Sequence, residues 1–349
     1  MIPVFAKRRA TVVALIAIAC TGLAAGCSSS SSSSAATSTS TSASASSSST
    51  PAVSGTANVA YASSLTFLNE KVIAPAFKAA TGYSYSGYAN ASGTLESDIA
   101  AGEIHPNVFQ SVGSDNVTPL EPKFTNWYIQ YAGTSMVVAY NPKSKYASQF
   151  KAIADGSVPL KNLFTLLQTP GLKLGRTVPN VDPQGRDFIY MLELAQAYYH
   201  LPSDTVTKIL GGPLASAKSS QIYAEASLPS TLQSGQLDAA SAFVTQAIEL
   251  HLDYIPLPTA INLGDSALAS TYATASVKLE NGMTKSGSPQ VIDITSIGAP
   301  TPAGTAFIQY TLSPTGLAQY KAGGFTLITP TVVGDKSAVP SAVLSELGS

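Results

Sequence analysis

Three short stretches place hydroxyl and glycine residues where an extended run gives way to a helical one: YASSLT at 61–66, NASGTLESDI at 90–99 and FQSVGSDN at 109–116. The first turn of a helix carries backbone N–H groups without intrahelical partners, and it lies at the positive end of the helix dipole. A serine there adds a hydroxyl donor, so several such ends brought together hold an oxyanion without any lysine. One serine alone is explained equally well by ordinary capping. Three in one chain make anion binding the chemistry to test, with Ser64, Ser92 and Ser111 as candidate contacts.

A fourth stretch, LGRTVPNVDPQGRD at 174–187, gathers Arg176, Asp182, Arg186 and Asp187 around a Pro/Gly-rich turn. Arg176 and Arg186 are the only arginines beyond the first ten residues of a chain with 11% charged residues, so their proximity calls for a reason. A guanidinium at this turn contacts an anion bidentately or neutralises Asp182. The plainer alternative makes Asp182 the cap of a helix beginning near Gln184 and leaves Arg186 facing solvent.

Other chemistry is poorly represented. His105, His200 and His251 lie far apart and none has metal-ligand spacing. There is no phosphate-cradling glycine loop and no G-x-S-x-G elbow. The sequence therefore offers no catalytic residue, cofactor or metal ion to expect, although a serine, histidine and carboxylate from remote positions could still meet. A net charge of −1 gives no bulk attraction to nucleic acid. Cys20 and Cys27 are the only cysteines, so the chain beyond residue 27 has neither disulfides nor thiolate metal sites.

The elements that must position these residues alternate along the chain. TANVAYA reads as a strand, and SSLTFLNEKVIAPAFKAATG as a helix with Ser64 at its cap, Pro75 kinking or splitting it and Gly82 ending it. YSYSGYA, NVFQSVG and SMVVAYNP follow as strands. GRDFIYMLELAQAYYHL is helical, LPSTLQSGQLDAASAFVTQAIEL gives a helix, a turn and a strand or helix, LDYIPLP and YATASVKLE read as strands, and TPAGTAFIQYTLSPTGLAQYKAGG as one helix. Strands alternating with helices predict an α/β architecture with mostly parallel sheets. Trp127, Tyr128 and Tyr131 are expected in the core rather than stacked on a ligand.

The N-terminal region has a different character. Lys7, Arg8 and Arg9 precede the apolar, small-residue run ATVVALIAIACTGLAAG, the pattern of an export signal spanning 1–26. LAAGC ends it at Cys27 and is similar to a bacterial lipobox, which makes Cys27 the expected lipidated residue. Residues 27–56 are dominated by Ser, Thr and Ala and predict a tether; some 25 to 30 flexible residues span on the order of 30 Å.

Several segments together resemble a known family: YASSLTFL, ASGTLESDIAAG, NVFQSV, NWYIQYAGTSMVVAYNPKSKYA, LGRTVPNVDPQG, GQLDAASAF, DYIPLPTAINLGD and LSPTGLAQYKAGGF. They resemble, in order, the tungstate- and molybdate-binding proteins of ABC transporters in the archaeal-type branch, and a broader bacterial group of extracellular solute-binding lipoproteins. The resemblance implies a type II periplasmic-binding-protein fold, with two α/β lobes joined by two crossing strands. Lobe 1 is then 57–135 plus 272–349 and lobe 2 is 136–271, with SMVVAYN and YATASVKL as the crossings. It also implies that Ser64 and Ser92 donate to the oxyanion, that Asp182 approaches it, and that Tyr272 and Ser111 lie nearby. The expected partners are a permease and an ATPase, the expected form a monomer anchored outside the cell membrane through Cys27. One position departs from the family. A gapless alignment of GQLDAASAFVTQAIEL places Ala242 where the family has a second carboxylate, a glutamate. Two ligands stay open: a tetrahedral oxyanion held by hydrogen bonds alone, or a different anion or organic solute. A secreted α/β hydrolase is the remaining alternative, and it requires a histidine beside a cleft serine or carboxylate.

Overall fold

The computed structural model describes residues 53–347. The export signal, Cys27 and all of the expected tether except residues 53–56 lie outside the described residues. The chain first lays down β1 (Thr56–Ala62), β2 (Ser84–Asn90), β3 (Val108–Val112) and β4 (Trp127–Gly133). It then crosses to a second sheet through β5 (Met136–Tyr140), β6 (Leu174–Gly175), β7 (Ala239–Phe243) and β8 (Asp253–Ile255). A hairpin of β9 (Ser276–Lys278) and β10 (Thr284–Ser286) leads back to β11 (Val291–Ser296) and β12 (Thr326–Gly334) in the first sheet. The sheet orders are β12-β4-β11-β3-β1-β2 and β6-β7-β5-β8. These are the two α/β lobes of the periplasmic-binding-protein fold.

The crossing segments run side by side. Thr134 N–H, just after β4, donates to Gln290 O at 3.0 Å, just before β11. The return crossing is thus the stretch leading into β11, which corrects the expectation that YATASVKL crosses. Only Ser276–Lys278 of that stretch is extended, because a turn at Gly282 folds it back on Thr284–Ser286. The sheets are also mixed rather than mostly parallel. The β1/β2, β1/β3 and β6/β7 pairs are parallel, but β11 and β12 return antiparallel to β3 and β4, and β5 is antiparallel to β7 and β8. Local alternation of strands and helices does not register where a crossing re-enters a sheet.

The helices that shape the cleft follow from capping and packing. Helix α1 (residues 63–81) opens with a 3-10 turn, runs through a wide π-type turn at Leu68–Ile73 and becomes regular at Ala74–Thr81. Pro75 directly follows the wide π-type turn, which interrupts the regular hydrogen-bond ladder where its missing N–H would otherwise leave a gap. Gly82 ends the helix at φ 78°, a left-handed conformation that a Cβ disfavours. Helix α2 is Ser92–Ala101 and α3 is Pro183–Tyr198. In α3, Asp182 caps the first turn and Phe188, Ile189, Met191 and Leu192 are buried on both faces, so it runs through the interior of lobe 2. Helix α4 (Val244–Glu249) continues directly from β7. The expected C-terminal helix is two, α5 (Pro302–Leu312) and α6 (Pro314–Ala322), because Ser313 is extended and its hydroxyl accepts from Gly316 N–H at 3.1 Å, capping α6 anew.

Apolar burial holds the lobes together. Trp127, Tyr128 and Tyr131 all lie in the core, as expected, with Tyr131 packed edge-on to Tyr320 at 5.0 Å between centroids. Phe77 of α1 meets Phe307 of α5 edge-on at 5.3 Å, both fully buried; each such ring contributes about 1.5–3 kcal/mol by leaving water. Five consecutive buried residues in β5, Met136 to Tyr140, fit a strand covered on both faces.

Candidate functional site

Lobe 1 presents the starts of α1 and α2 to lobe 2. Ser92 is the first helical residue of α2, follows Ala91 in extended conformation, and is fully buried. Its hydroxyl accepts from Val112 N–H at 3.2 Å, which leaves its own proton to donate. The next amide, Gly93 N–H, donates across to Val181 O of lobe 2 at 2.9 Å. A Cβ at position 93 would lie 2.5 Å from that oxygen, so the approach requires glycine. Ser64, in the first turn of α1, is also buried, and its turn packs on the lobe 2 turn Glu225–Ser227 and on α4.

Lobe 2 answers with acceptors. Asp182 caps α3 by accepting from Gln184 N–H at 2.9 Å. It is almost fully buried, and desolvation, opposed by Arg186 and the helix N–H groups, pushes its carboxyl up to about 6. Glu225 stands beside it. Its carboxyl accepts from Gln184 Nε2 at 3.1 Å and Gln246 Nε2 at 2.8 Å, and its turn packs on the lobe 1 turn that holds Ser64. Burial first, then the neighbouring Asp182 charge, raises Glu225 well above the carboxylate range. Ser241 Oγ donates to Gln184 Oε1 at 2.9 Å, and Gln246 Oε1 accepts from Gln184 Nε2 at 2.7 Å and Phe243 N–H at 3.1 Å. The two glutamines thus have fixed orientations, with amide donors turned toward Glu225.

The structure therefore links Ser64, Ser92 and Asp182 in one buried interlobe cluster, and adds Glu225, Gln184 and Gln246, which the sequence analysis missed. Glu225 was legible in one respect: it is the only acidic residue between Asp204 and Asp238. Ala242 is buried in β7 and lines, with Glu225 and Gln246, a space of about 10 Å³. Position 242 carries no carboxylate, and Glu225 borders the same small space from another segment of the chain.

Neither arginine faces solvent, and the two have different partners. Arg186 is buried, not solvent-facing. Its Nη2 meets Asp115 Oδ2 at 3.3 Å and Asn116 Oδ1 at 3.4 Å in lobe 1, and its Nη1 meets Pro179 O at 3.3 Å. Lys285 Nζ reaches the same Asp115 oxygen at 2.9 Å. Arg176 is fully buried inside lobe 2, where its Nε donates to Gln221 Oε1 at 3.2 Å and both terminal nitrogens lack a partner among the described residues. Burial alone lowers it to about 10, with no carboxylate beside it, so Arg176 does not neutralise Asp182.

The remaining candidates are engaged in the framework. Ser111 Oγ donates to Gly113 O at 3.1 Å, within its own turn. The Tyr272 hydroxyl donates to Thr259 O at 2.5 Å and accepts from Asp265 N–H at 3.1 Å, in a short helix rather than a crossing strand. His105, His200 and His251 are exposed, so no histidine stands beside the buried cleft serines to act as the base a hydrolase needs. Among the described residues, no three His, Cys, Asp or Glu side chains cluster to hold a metal ion, and no helix is long and apolar enough to cross a membrane.

A family model for bacterial extracellular solute-binding proteins matches residues 57–326. An uncharacterized solute-binding protein of Petrotoga mobilis is 30% identical over 63% of this chain and 68% of its own length. The molybdate/tungstate-binding protein WtpA of Pyrococcus abyssi is 28% identical over 60% of this chain and 65% of its own. The chain spans between 50% and 71% of the length of such curated relatives. Among solved structures, the periplasmic molybdate-binding protein of Azotobacter vinelandii superposes with a TM-score of 0.53 at 18% identity, covering 77% of this chain and 98% of that one. At that identity the likeness carries the fold alone.

Proposed function

We propose, from the premise that this chain belongs to the bacterial extracellular solute-binding protein family, that it is the substrate-binding component of an ABC transporter and captures a small oxyanion of the molybdate or tungstate type between its lobes. The observation that carries this reading is the convergence of the starts of α1 and α2 in lobe 1, with Gly93 N–H donating to Val181 O, on the lobe 2 turns that hold Asp182 and Glu225. Uncharged donors and helix ends then supply the attraction, and closure of the lobes strengthens each bond by excluding water.

The two carboxyls set the electrostatic condition. Two unit charges 4 Å apart repel by about 1 kcal/mol in water and by several times that where water is excluded. Burial raises both Asp182 and Glu225 above the ordinary carboxylate range, which disfavours the doubly charged pair beside an anion. Arg186, on the next turn of α3, further offsets Asp182. The protein binds and releases its ligand unchanged. Cys27, lipidated, anchors it outside the cell membrane, where the Ser/Thr-rich tether gives it reach to a permease.

Calorimetry and thermal shift with molybdate, tungstate, sulfate and phosphate test this. At a concentration one hundred times its dissociation constant, a bound anion stabilises the fold by about 2.7 kcal/mol. Silence from all four anions moves the assignment to an organic solute.

A further inference from the structure

Away from the serines, the lobes meet a second time through charge. Asp115 stands in the 3-10 turn Ser114–Asn116 that follows β3 of lobe 1. Its Oδ2 accepts from two cations at once, Arg186 Nη2 at 3.3 Å and Lys285 Nζ at 2.9 Å. Arg186 belongs to α3 of lobe 2. Lys285 lies on β10, and its hairpin is tied to lobe 2: Glu193 of α3 accepts from Ser276 N–H at 2.8 Å, and Asn180 Oδ1 accepts from Glu280 N–H at 2.9 Å. Parting the lobes leaves two cations side by side without their anion, so charge favours the closed form.

The same guanidinium reaches the cleft. Arg186 Nη1 donates to Pro179 O at 3.3 Å. Pro179 begins the turn that contains Val181, the acceptor for Gly93 N–H, and that ends at Asp182, the cap of α3. This turn is therefore held at one end by the start of α2 and at the other by a guanidinium that Asp115 holds. We propose that Asp115 is a positioning residue for solute capture: it closes lobe 1 onto the cations Arg186 and Lys285 and, through Arg186, fixes the turn Pro179–Asp182. That this turn meets the solute rests on the oxyanion reading of the cleft; the closure itself does not. The Arg186 side chain is 5% exposed and that of Asp115 40%, so salt reaches the carboxylate and the closure responds to ionic strength.

Amide hydrogen exchange followed by mass spectrometry reads closure without any ligand, because Gly93 N–H loses its partner when the lobes part. Asp115→Asn keeps the shape and removes the charge. In this variant the peptide covering residues 90–95 exchanges about three- to tenfold faster than in wild type at low salt, while a control peptide over β5 stays protected. Raising NaCl from about 50 mM to about 500 mM narrows the gap, since screening takes from wild type what the substitution takes from the variant. Lys285→Met removes one of the two ion pairs, shifts exchange in the same direction and serves if the asparagine variant does not fold. Molybdate affinity, measured by calorimetry, falls in Asp115→Asn by a similar factor, although loss of a negative charge near an anion site would by charge alone raise it. The proposal is overturned by exchange at 90–95 equal to wild type in both variants, by a gap that salt leaves unchanged, or by molybdate binding in Asp115→Asn as tight as in wild type or tighter. Failure of wild type to bind molybdate counts against the oxyanion reading alone, because the exchange measurement still decides whether Asp115 holds the lobes.

Discussion

The Ser92 hydroxyl accepts from Val112 N–H at 3.2 Å and so has one proton left to give. Hydrogen bonds to charged groups contribute about 1.5–3 kcal/mol, twice or more the value of neutral ones. Ser92→Ala is therefore expected to weaken oxyanion binding roughly ten- to a hundredfold, and to lower fold stability by about 1 kcal/mol because Val112 N–H loses its partner. Ser64→Ala likewise removes one hydroxyl and keeps the backbone N–H, so a loss of affinity of similar size is expected. Calorimetry on both variants separates the two contributions; identical affinities for wild type, Ser64→Ala and Ser92→Ala would mean that neither side chain touches the ligand. The serines were legible because hydroxyl residues at a strand-to-helix junction are a local signal, although neither caps its helix: Ala62 and Ala91 hold the cap positions, not the expected Ser64. Glu225 was not, since its partner Gln184 lies 41 positions away and only the fold brings them together.

At the level of elements, the start of α2 lies against lobe 2 so closely that only glycine fits at position 93, where a Cβ would sit 2.5 Å from Val181 O. The oxygen belongs to backbone at the foot of α3, so it has no flexible side chain with which to retreat. Gly93→Ala is expected to hold the lobes apart, lowering anion affinity about tenfold or more through loss of the interlobe bond and its neighbours, and raising amide exchange at residues 90–95. Affinity and exchange equal to wild type would show that the two lobes do not meet at this point when ligand is held. Much of this geometry follows from sequence signals with a clear mechanism. The Asp182-Pro183 pair marks the start of α3, and five apolar residues mark β5. The return crossing and the position of Arg186 escaped notice for a common reason. Each is fixed by contacts between lobes, such as Arg186 with Asp115 across 71 positions, and no periodicity of the chain encodes them.

For the whole molecule, the balance of charge between the lobes depends on a carboxyl remote from the anion cluster. Glu249 ends α4 in lobe 2 and lies against Gly323, next to the C-terminal end of α6 in lobe 1, where a Cβ would come within 2.9 Å of its Oε1. That oxygen is buried without a partner, and desolvation pushes the group up to about 8 from 4.5. The partial negative charge at the end of α6 disfavours ionisation further. Because the folded value is raised, the stability Glu249 contributes is fully present below pH 4.5 and is lost as pH rises through about 8. Partial exposure reduces the size of the effect to about 2–3 kcal/mol. Glu249→Gln removes the titration and keeps the shape, so urea midpoints measured from pH 5 to pH 9 should diverge from pH 5 up to about pH 8, the variant gaining on wild type throughout, and the gap should level off above that. Several other buried carboxyls, Asp187 and Asp293 among them, also titrate upward and lower the stability of both proteins alike. The difference between the two curves isolates Glu249, and curves that stay parallel across the whole range would place its carboxyl in water, away from the junction of the lobes.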